Sequence, residues 1–328
     1  MSSLDRRRFL RDAAASTALI AAGGLASTAL GAPAQAAPAA ASTPSDAIRR
    51  RPGPVSFRWW GTAGWRVDIG DRTVLVDPFL SRIHTGLFDG GMNGSTPLEV
   101  RTEVVDAYVD RAETVLVTHT HWDHFMDVPY IAGRTGARVF GTMTAYHLGL
   151  AYGVPSGQLS AVKGGEVMDF GAYTVEVVAS LHSRNASYAV SLPGVRLAPT
   201  AKPLTVADLP EGDTLNYVLR VAGGPTVFFM GASDFVARNL AGIAPDVAMV
   251  ALNSTTVTAD YVSRLMAALD HPEVVVPVHF DNFETELRNP PTVAPSDRTR
   301  LDQLIAAVRE SSPGSRVLVP EYDTAYHF

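Results

Sequence analysis

Cysteine is absent from the chain. Its absence excludes disulfides, thiolate metal ligands, iron–sulfur clusters and a cysteine nucleophile together, and with them the lipid-modified cysteine of a lipoprotein. An excess of positive charge is also missing: 27 Lys and Arg stand against 33 Asp and Glu, a formal net charge of −6. A nucleic-acid surface needs a basic stripe, so no nucleic-acid partner is expected and a small-molecule substrate fits better. Nothing repeats at the roughly 20–50-residue periods of solenoids. What remains is a soluble, globular balance, 46% hydrophobic and 18% charged, over 328 residues, long enough to bury a large core.

The N-terminus carries an address. Asp5-Arg6-Arg7-Arg8-Phe9-Leu10-Arg11 matches the twin-arginine pattern, an Ala/Gly/Leu-rich run follows from Ala13 to about Leu30, and Ala34-Gln35-Ala36 offers a small-x-small cleavage site. Residues 1–36 are therefore expected to be a twin-arginine signal peptide, with the twin-arginine translocation machinery as a partner during export. The run is weakly hydrophobic and ends at a cleavage site, so no stable membrane anchor is expected; the mature protein is expected in the periplasm or secreted. Because this route moves folded proteins, a metal would be loaded before export. Residues 37–54, rich in Ala, Pro, Ser and Arg, read as a disordered lead-in. A single domain is expected over 55–328.

That domain opens on three strand signals, Val55–Trp60, Gly64–Ile69 and Thr73–Asp77, separated by Gly61 and Gly70-Asp71, which predict an antiparallel meander. Residues 81–97 are Gly-rich and irregular, and 183–213 are Pro-rich and aperiodic; both predict long functional loops. Between and after them, apolar strands alternate with helical patterns, including Thr142 as the N-cap of a helix to Tyr152. Strands and helices in each half predict two mixed sheets packed face to face with helices outside, one layered α/β domain.

The densest chemistry is Thr118-His119-Thr120-His121-Trp122-Asp123-His124, directly after the apolar strand Thr114–Val117. Alternate side chains of an extended segment share a face, so His119 and His121 can grip one metal while Asp123 and His124 reach a second. Three later strands also stop at ligand-type residues: His182, Asp234 and His279. Strand ends on one sheet edge are where rigid scaffolds present functional groups. Together these residues make seven nitrogen or oxygen ligands, as a binuclear site requires.

In this order of motifs the chain resembles the metallo-β-lactamase superfamily: Asp77 in Val-Asp-Pro, then His119, His121, Asp123 and His124, then His182, Asp234 and His279. Trp60-Gly61-Thr62-Ala63-Gly64-Trp65 and Val76-Asp77-Pro78-Phe79-Leu80-Ser81 look most like the branch containing ascorbate-6-phosphate lactonase and N-acyl-phosphatidylethanolamine phospholipase D. The resemblance implies a four-layer αβ/βα sandwich. It also implies His119, His121 and His182 on one metal and Asp123, His124 and His279 on the other, with Asp234 bridging. Asp123 and Asp234 are the candidate catalytic carboxylates. Imidazole and carboxylate suit Zn2+, with Mn2+ or Fe2+ as the other fits. Two such ions make hydroxide available near neutral pH for attack on an ester-like bond, with lactone or phosphodiester preferred by the resemblance. The alternatives are a metal-binding oxidoreductase and a non-catalytic binding protein on the same scaffold.

Asp77 either orients a ligand imidazole or caps the turn before Pro78. His84, Asn185 and Tyr188 are candidate substrate contacts. Arg66, Arg82, Arg184 and Lys202 are the basic residues a phosphorylated substrate would call on. Trp60, Trp122, Phe280 and Phe283 line either an apolar pocket or the core.

Overall fold

A computed structural model describes residues 54–328; the signal peptide expected over 1–36 and the lead-in up to 53 lie outside the described residues. The expected meander is present. β1 (Val55–Trp59), β2 (Trp65–Ile69) and β3 (Arg72–Val76) pair antiparallel, with Trp65, Val67 and Ile69 buried while Arg66 and Asp68 alternate outward. After the loop and α1 (Thr102–Tyr108) come β4 (Thr114–Leu116), the short α2 (Trp122–Phe125), α3 (Val128–Thr135), β5 (Arg138–Gly141), α4 (Met143–Ala151) and β6 (Leu159–Ala161). β3, β4, β5 and β6 run parallel. The Thr142 hydroxyl accepts from the Ala145 N–H and caps α4 as predicted.

The second sheet begins with β7 (Val167–Asp169), β8 (Tyr173–Ala179), β9 (Leu215–Val221) and β10 (Thr226–Met230), each antiparallel to the one before it. It continues in parallel through β11 (Val247–Ala251) and, beyond α5 (Tyr261–Ala268), β12 (Val274–Val278). The long α6 (Pro295–Ser311) leads to the edge strand β13 (Arg316–Val317), and β14 (Ala325–Tyr326) returns to pair with β1. Each sheet thus holds seven strands, ordered β14-β1-β2-β3-β4-β5-β6 and β13-β12-β11-β10-β9-β8-β7. β11 and β12 are buried at every position, as parallel strands covered on both faces must be.

Alternation along the first sheet divides the core. Val74, Val76, Leu116 and Phe140 face the second sheet, whereas Leu75, Val115, Val117 and Val139 pack with Ile131, Ala132 and Leu148 of the outer helices. Leu265, Leu301 and Leu304 of α5 and α6 join the core from the far side. Helices, sheet, sheet, helices: the fold is the expected four-layer sandwich. Polar ties cross between the sheets: the Tyr217 hydroxyl on β9 donates to the Val117 carbonyl at 2.8 Å, and the Thr114 hydroxyl on β4 lies 3.0 Å from the Tyr173 hydroxyl on β8.

The pairings fix strand direction. β3 and β4 are parallel, β10, β11 and β12 are parallel, and β8 runs with β10 because both are antiparallel to β9. Their C-terminal ends carry Asp77, the His119 loop, Gly231, Asn253, His279 and His182. In α/β sheets, ligands bind at the carboxyl ends of strands.

Candidate metal centre

Two groups of potential ligands gather at those ends. His119, His121 and His182 form one, and Asp123, His124 and His279 the other; within each, one ligand atom per residue lies within 4.8 Å of the others. All six are between 1% and 9% exposed. The groups adjoin, with the His119 and His124 rings 3.9 Å apart between centroids.

Four of the five imidazoles have one nitrogen committed to an oxygen, which leaves the other to face inward. His121 Nε2 donates to the Ser191 carbonyl at 2.9 Å and His182 Nδ1 to the Ser183 carbonyl at 2.8 Å. His124 Nδ1 donates to Asp77 Oδ2 at 2.8 Å, and His119 Nδ1 donates to the Thr118 hydroxyl at 3.1 Å, which in turn donates to Asp77. Such outer contacts fix tautomer and ring orientation. Asp77, fully buried, also accepts from the Thr118 N–H at 2.7 Å. It therefore orients one imidazole of each group instead of capping the turn before Pro78. A Cβ on Gly231 would lie 1.9 Å from Thr118 Oγ1, so only glycine lets the end of β10 close on this relay.

The inward atoms are crowded and undersatisfied. His119 Nε2 and His121 Nδ1 are 3.1 Å apart, and His124 Nε2 has no hydrogen-bond partner. Asp123 Oδ2 lies 3.4 Å from His124 Nε2 and 3.2 Å from His279 Nε2. Burial lowers the basicity of His119 well below the usual range, that of His121 to about 4 and that of His182 to about 3, with neighbouring imidazoles adding to the effect. These three are neutral, with lone pairs free. Burial opposes charge on Asp123 and His124 also, but they hold each other ionised: Asp123 stays well below the usual carboxyl range beside His124 and His279, and His124, between Asp123 and Asp77, is pushed up to about 10. Three buried neutral nitrogens in the first group, and in the second a carboxylate with two imidazoles, of which His124 would give up its proton to an ion, fit a divalent cation in each group.

The seventh expected ligand is not brought in. Asp234 belongs to neither group; its Oδ1 accepts from the neighbouring Phe235 N–H at 2.8 Å, and its backbone pairs with Leu181 in an isolated bridge. β10 ends at Met230, and Gly231, Ala232 and Ser233 separate its end from Asp234.

Above the ligands lies a cleft of about 450 Å³. Asn185 lines it, with its Oδ1 accepting from the Ser187 and Ala189 N–H groups. Tyr188 is 70% exposed and His84 is an exposed partner of Asp89 at 2.7 Å; neither lines the cleft. Arg82 is buried against Asp281 at 2.8 Å, Arg66 pairs with Asp68 and Asp110, Arg184 donates to the Tyr188 carbonyl, and Lys202 sits over the Tyr152 ring. Of the four aromatics, Trp122 and Phe283 line the cleft, whereas Trp60 and Phe280 are core. Asn253, Asp297 and Arg300 line it without having been singled out. Asn253 had a legible signal, since it follows the end of a predicted strand, as His182 and His279 do.

Residues 56–279 match the Beta-lactamase superfamily domain. The chain belongs to that superfamily. A UPF0173 metal-dependent hydrolase of Methylobacterium nodulans is 31% identical over 275 residues, covering 81% of this chain and 97% of that protein. Among solved structures, Igni18, a metallo hydrolase from Ignicoccus hospitalis, aligns with a TM-score of 0.53 at 19% identity over 84% of this chain and 99% of its own. CmlA, a diiron β-hydroxylase from Streptomyces venezuelae, aligns with a TM-score of 0.54 at 13% identity over 84% of this chain and 55% of its own. At such identities the two structures speak to fold alone. This β-lactamase superfamily member is a metal-dependent hydrolase.

Proposed function

We propose that His119, His121 and His182 hold one divalent ion and Asp123, His124 and His279 a second, zinc in each, and that the protein hydrolyses an ester-like bond, a lactone or phosphodiester among them. The observation that carries this reading is the pair of adjoining buried groups, each offering three ligand atoms within 4.8 Å at the floor of an open cleft. Ions bound there would make water acidic enough to attack near neutral pH and would polarise the substrate oxygen. The chain's own part is to hold its donors still. Asp77 locks His124 directly and His119 through Thr118, and Asp123 remains ionised between His124 and His279. Asp234 has no place in the set.

Metal analysis of the purified mature protein tests this. Two equivalents of zinc are expected, with His119→Ala losing metal and hydrolysis together, while Asp234→Ala keeps its metal and stays within about threefold of the parent rate, as for a residue outside the transition-state contacts. A protein that binds no transition metal, or a His119→Ala variant with full activity, would sink the reading. We also propose export by the twin-arginine route, supported by Arg6-Arg7 and Ala34-Gln35-Ala36; a reporter fused to residues 1–40 that stays in the cytosol would argue against it.

A further inference from the structure

The walls of the cleft discriminate among ester-like substrates, an inference that rests on the hydrolase reading. One wall is apolar, made by Leu87, Phe88 and Met92 from the loop after β3 together with Trp122 and Phe283. The Phe283 ring is its hub: it stands edge-on to Phe88 at 5.0 Å and to the ligand His279 at 5.2 Å, with Trp122 tilted against it at 6.3 Å. The apolar surface therefore runs continuously from the mouth of the cleft to the ligand groups. Leu87 is 40% exposed at that mouth, a costly place for an apolar side chain with nothing to cover it. The lining also carries uncharged polar side chains, Ser183, Asn185, Ser191, Asn253 and Ser254 among them.

Charge separates the substrate classes. Outside the ligand groups, the ionisable side chains lining the cleft are Asp281, Asp297 and Arg300. Asp281 is committed to Arg82 at 2.8 Å, and Arg300 to Asp297 at 2.5 Å. Among the described residues, no uncommitted Lys or Arg lines the cleft. Phosphate recognition draws on cationic side chains beyond any ion that every ester would share, bidentate Arg above all, and here the one Lys or Arg lining the cleft, Arg300, is already answered by a carboxylate. A neutral carbonyl ester asks for no such partner, and an alkyl chain gains by covering the apolar wall.

We propose that the cleft selects a neutral acyl ester or lactone, its acyl chain lying along Phe88, Met92, Trp122 and Phe283, and disfavours phosphate esters. In the reaction, the oxygen of water bonds to the acyl carbon as the acyl C–O bond breaks. One proton of that water goes to the leaving alcohol oxygen and the other is released as the carboxylic acid ionises.

The test uses the zinc-loaded mature protein. Hydrolysis of 4-nitrophenyl esters with acyl chains of increasing length is compared with that of 4-nitrophenyl phosphate and bis(4-nitrophenyl) phosphate. Binding of octanoate and of inorganic phosphate is measured separately by calorimetry. Each methylene buried on the wall is worth about a fourfold gain in kcat/KM, so the expected result is a rise of that order per methylene over the first few carbons. Both phosphates should fall at least about a hundredfold below the best ester, and octanoate should bind more tightly than phosphate. Phe88→Ala should flatten the chain-length dependence mainly through KM, with metal content kept, and Phe88→Leu should restore most of it. A phosphodiester preference, a flat chain-length profile in the parent, or tighter binding of phosphate than of octanoate overturns the proposal. Octanoate binding with no probe hydrolysed would instead uphold acyl recognition and defeat the hydrolase reading.

Discussion

Asp77 is a single carboxylate on which both ligand groups lean, through His124 on one side and through Thr118 and His119 on the other. Asp77→Asn keeps the shape but replaces an acceptor oxygen with a donor; because His124 and the Thr118 hydroxyl both end on Oδ2 while Oδ1 accepts the Thr118 N–H, either orientation of the amide sets a donor against a donor in the relay. Metal affinity should fall about 10–100-fold, and titration against a chromophoric chelator should show the loss beyond one site. Unchanged affinity at both sites would remove Asp77 from the relay. The sequence carried enough to bring Asp77 under suspicion and to name the six residues that gather in two groups, because a strand end is marked locally by where the apolar run stops. Asp234 was misplaced by the same rule. It lies beyond the apolar run of its strand, and the path of the turn between them depends on a distant pairing with Leu181 that no local pattern encodes.

Strands and helices followed their periodicity closely, down to the Thr142 cap, because alternation and apolar runs are local properties. The two-residue β14 was missed: so short a segment pairs only because β1 offers an edge. Loops were least legible, and Arg82 shows why. In sequence it is a free cation in a Gly-rich loop. In the fold it ties that loop to another, donating to Asp281, to the Asn282 carbonyl at 3.0 Å and to the Thr285 carbonyl, with Tyr322 stacked beneath it at 5.1 Å. Asp281 in turn accepts the Thr62 N–H at 2.9 Å, next to the point where His279, at φ 62°, donates to the Thr62 carbonyl. Arg82→Ala leaves a buried carboxylate unpaired and should cost about 3–5 kcal/mol. That is about 10 °C in melting temperature for a domain of this size, and a melt within 2–3 °C of the parent would show that the pair contributes little.

The stability of the whole molecule should carry the imprint of its neutral histidines. Without metal, His121 and His182 titrate near 4 and 3 in the folded protein but near 6.5 when unfolded. As the pH drops below about 6.5, the unfolded chain takes up protons that the folded one refuses, so stability falls until those lower values are passed. His124 acts in the opposite sense: raised to about 10, its contribution is complete below about pH 6.5 and is lost as pH rises toward 10. Denaturation of chelator-treated protein from pH 4 to 9 should therefore give maximal stability near pH 6.5, and bound metal should raise the stability while keeping the acid limb, because imidazoles held on an ion also refuse protons that the unfolded chain takes up. Stability rising steadily from pH 6.5 down to pH 4 would contradict the burial of these imidazoles.

Each group takes two residues from the first sheet's side, His119 and His121 from the loop after β4 or Asp123 and His124 from α2, and one from a strand end of the second sheet, His182 after β8 or His279 after β12. Neither group exists until the two sheets have docked and registered their edges. Metal capture is therefore a late event in the life of the chain, a receipt for completed assembly. A half-folded molecule lacks the third residue of each group, so an ion held by all three would also certify that the sandwich has closed.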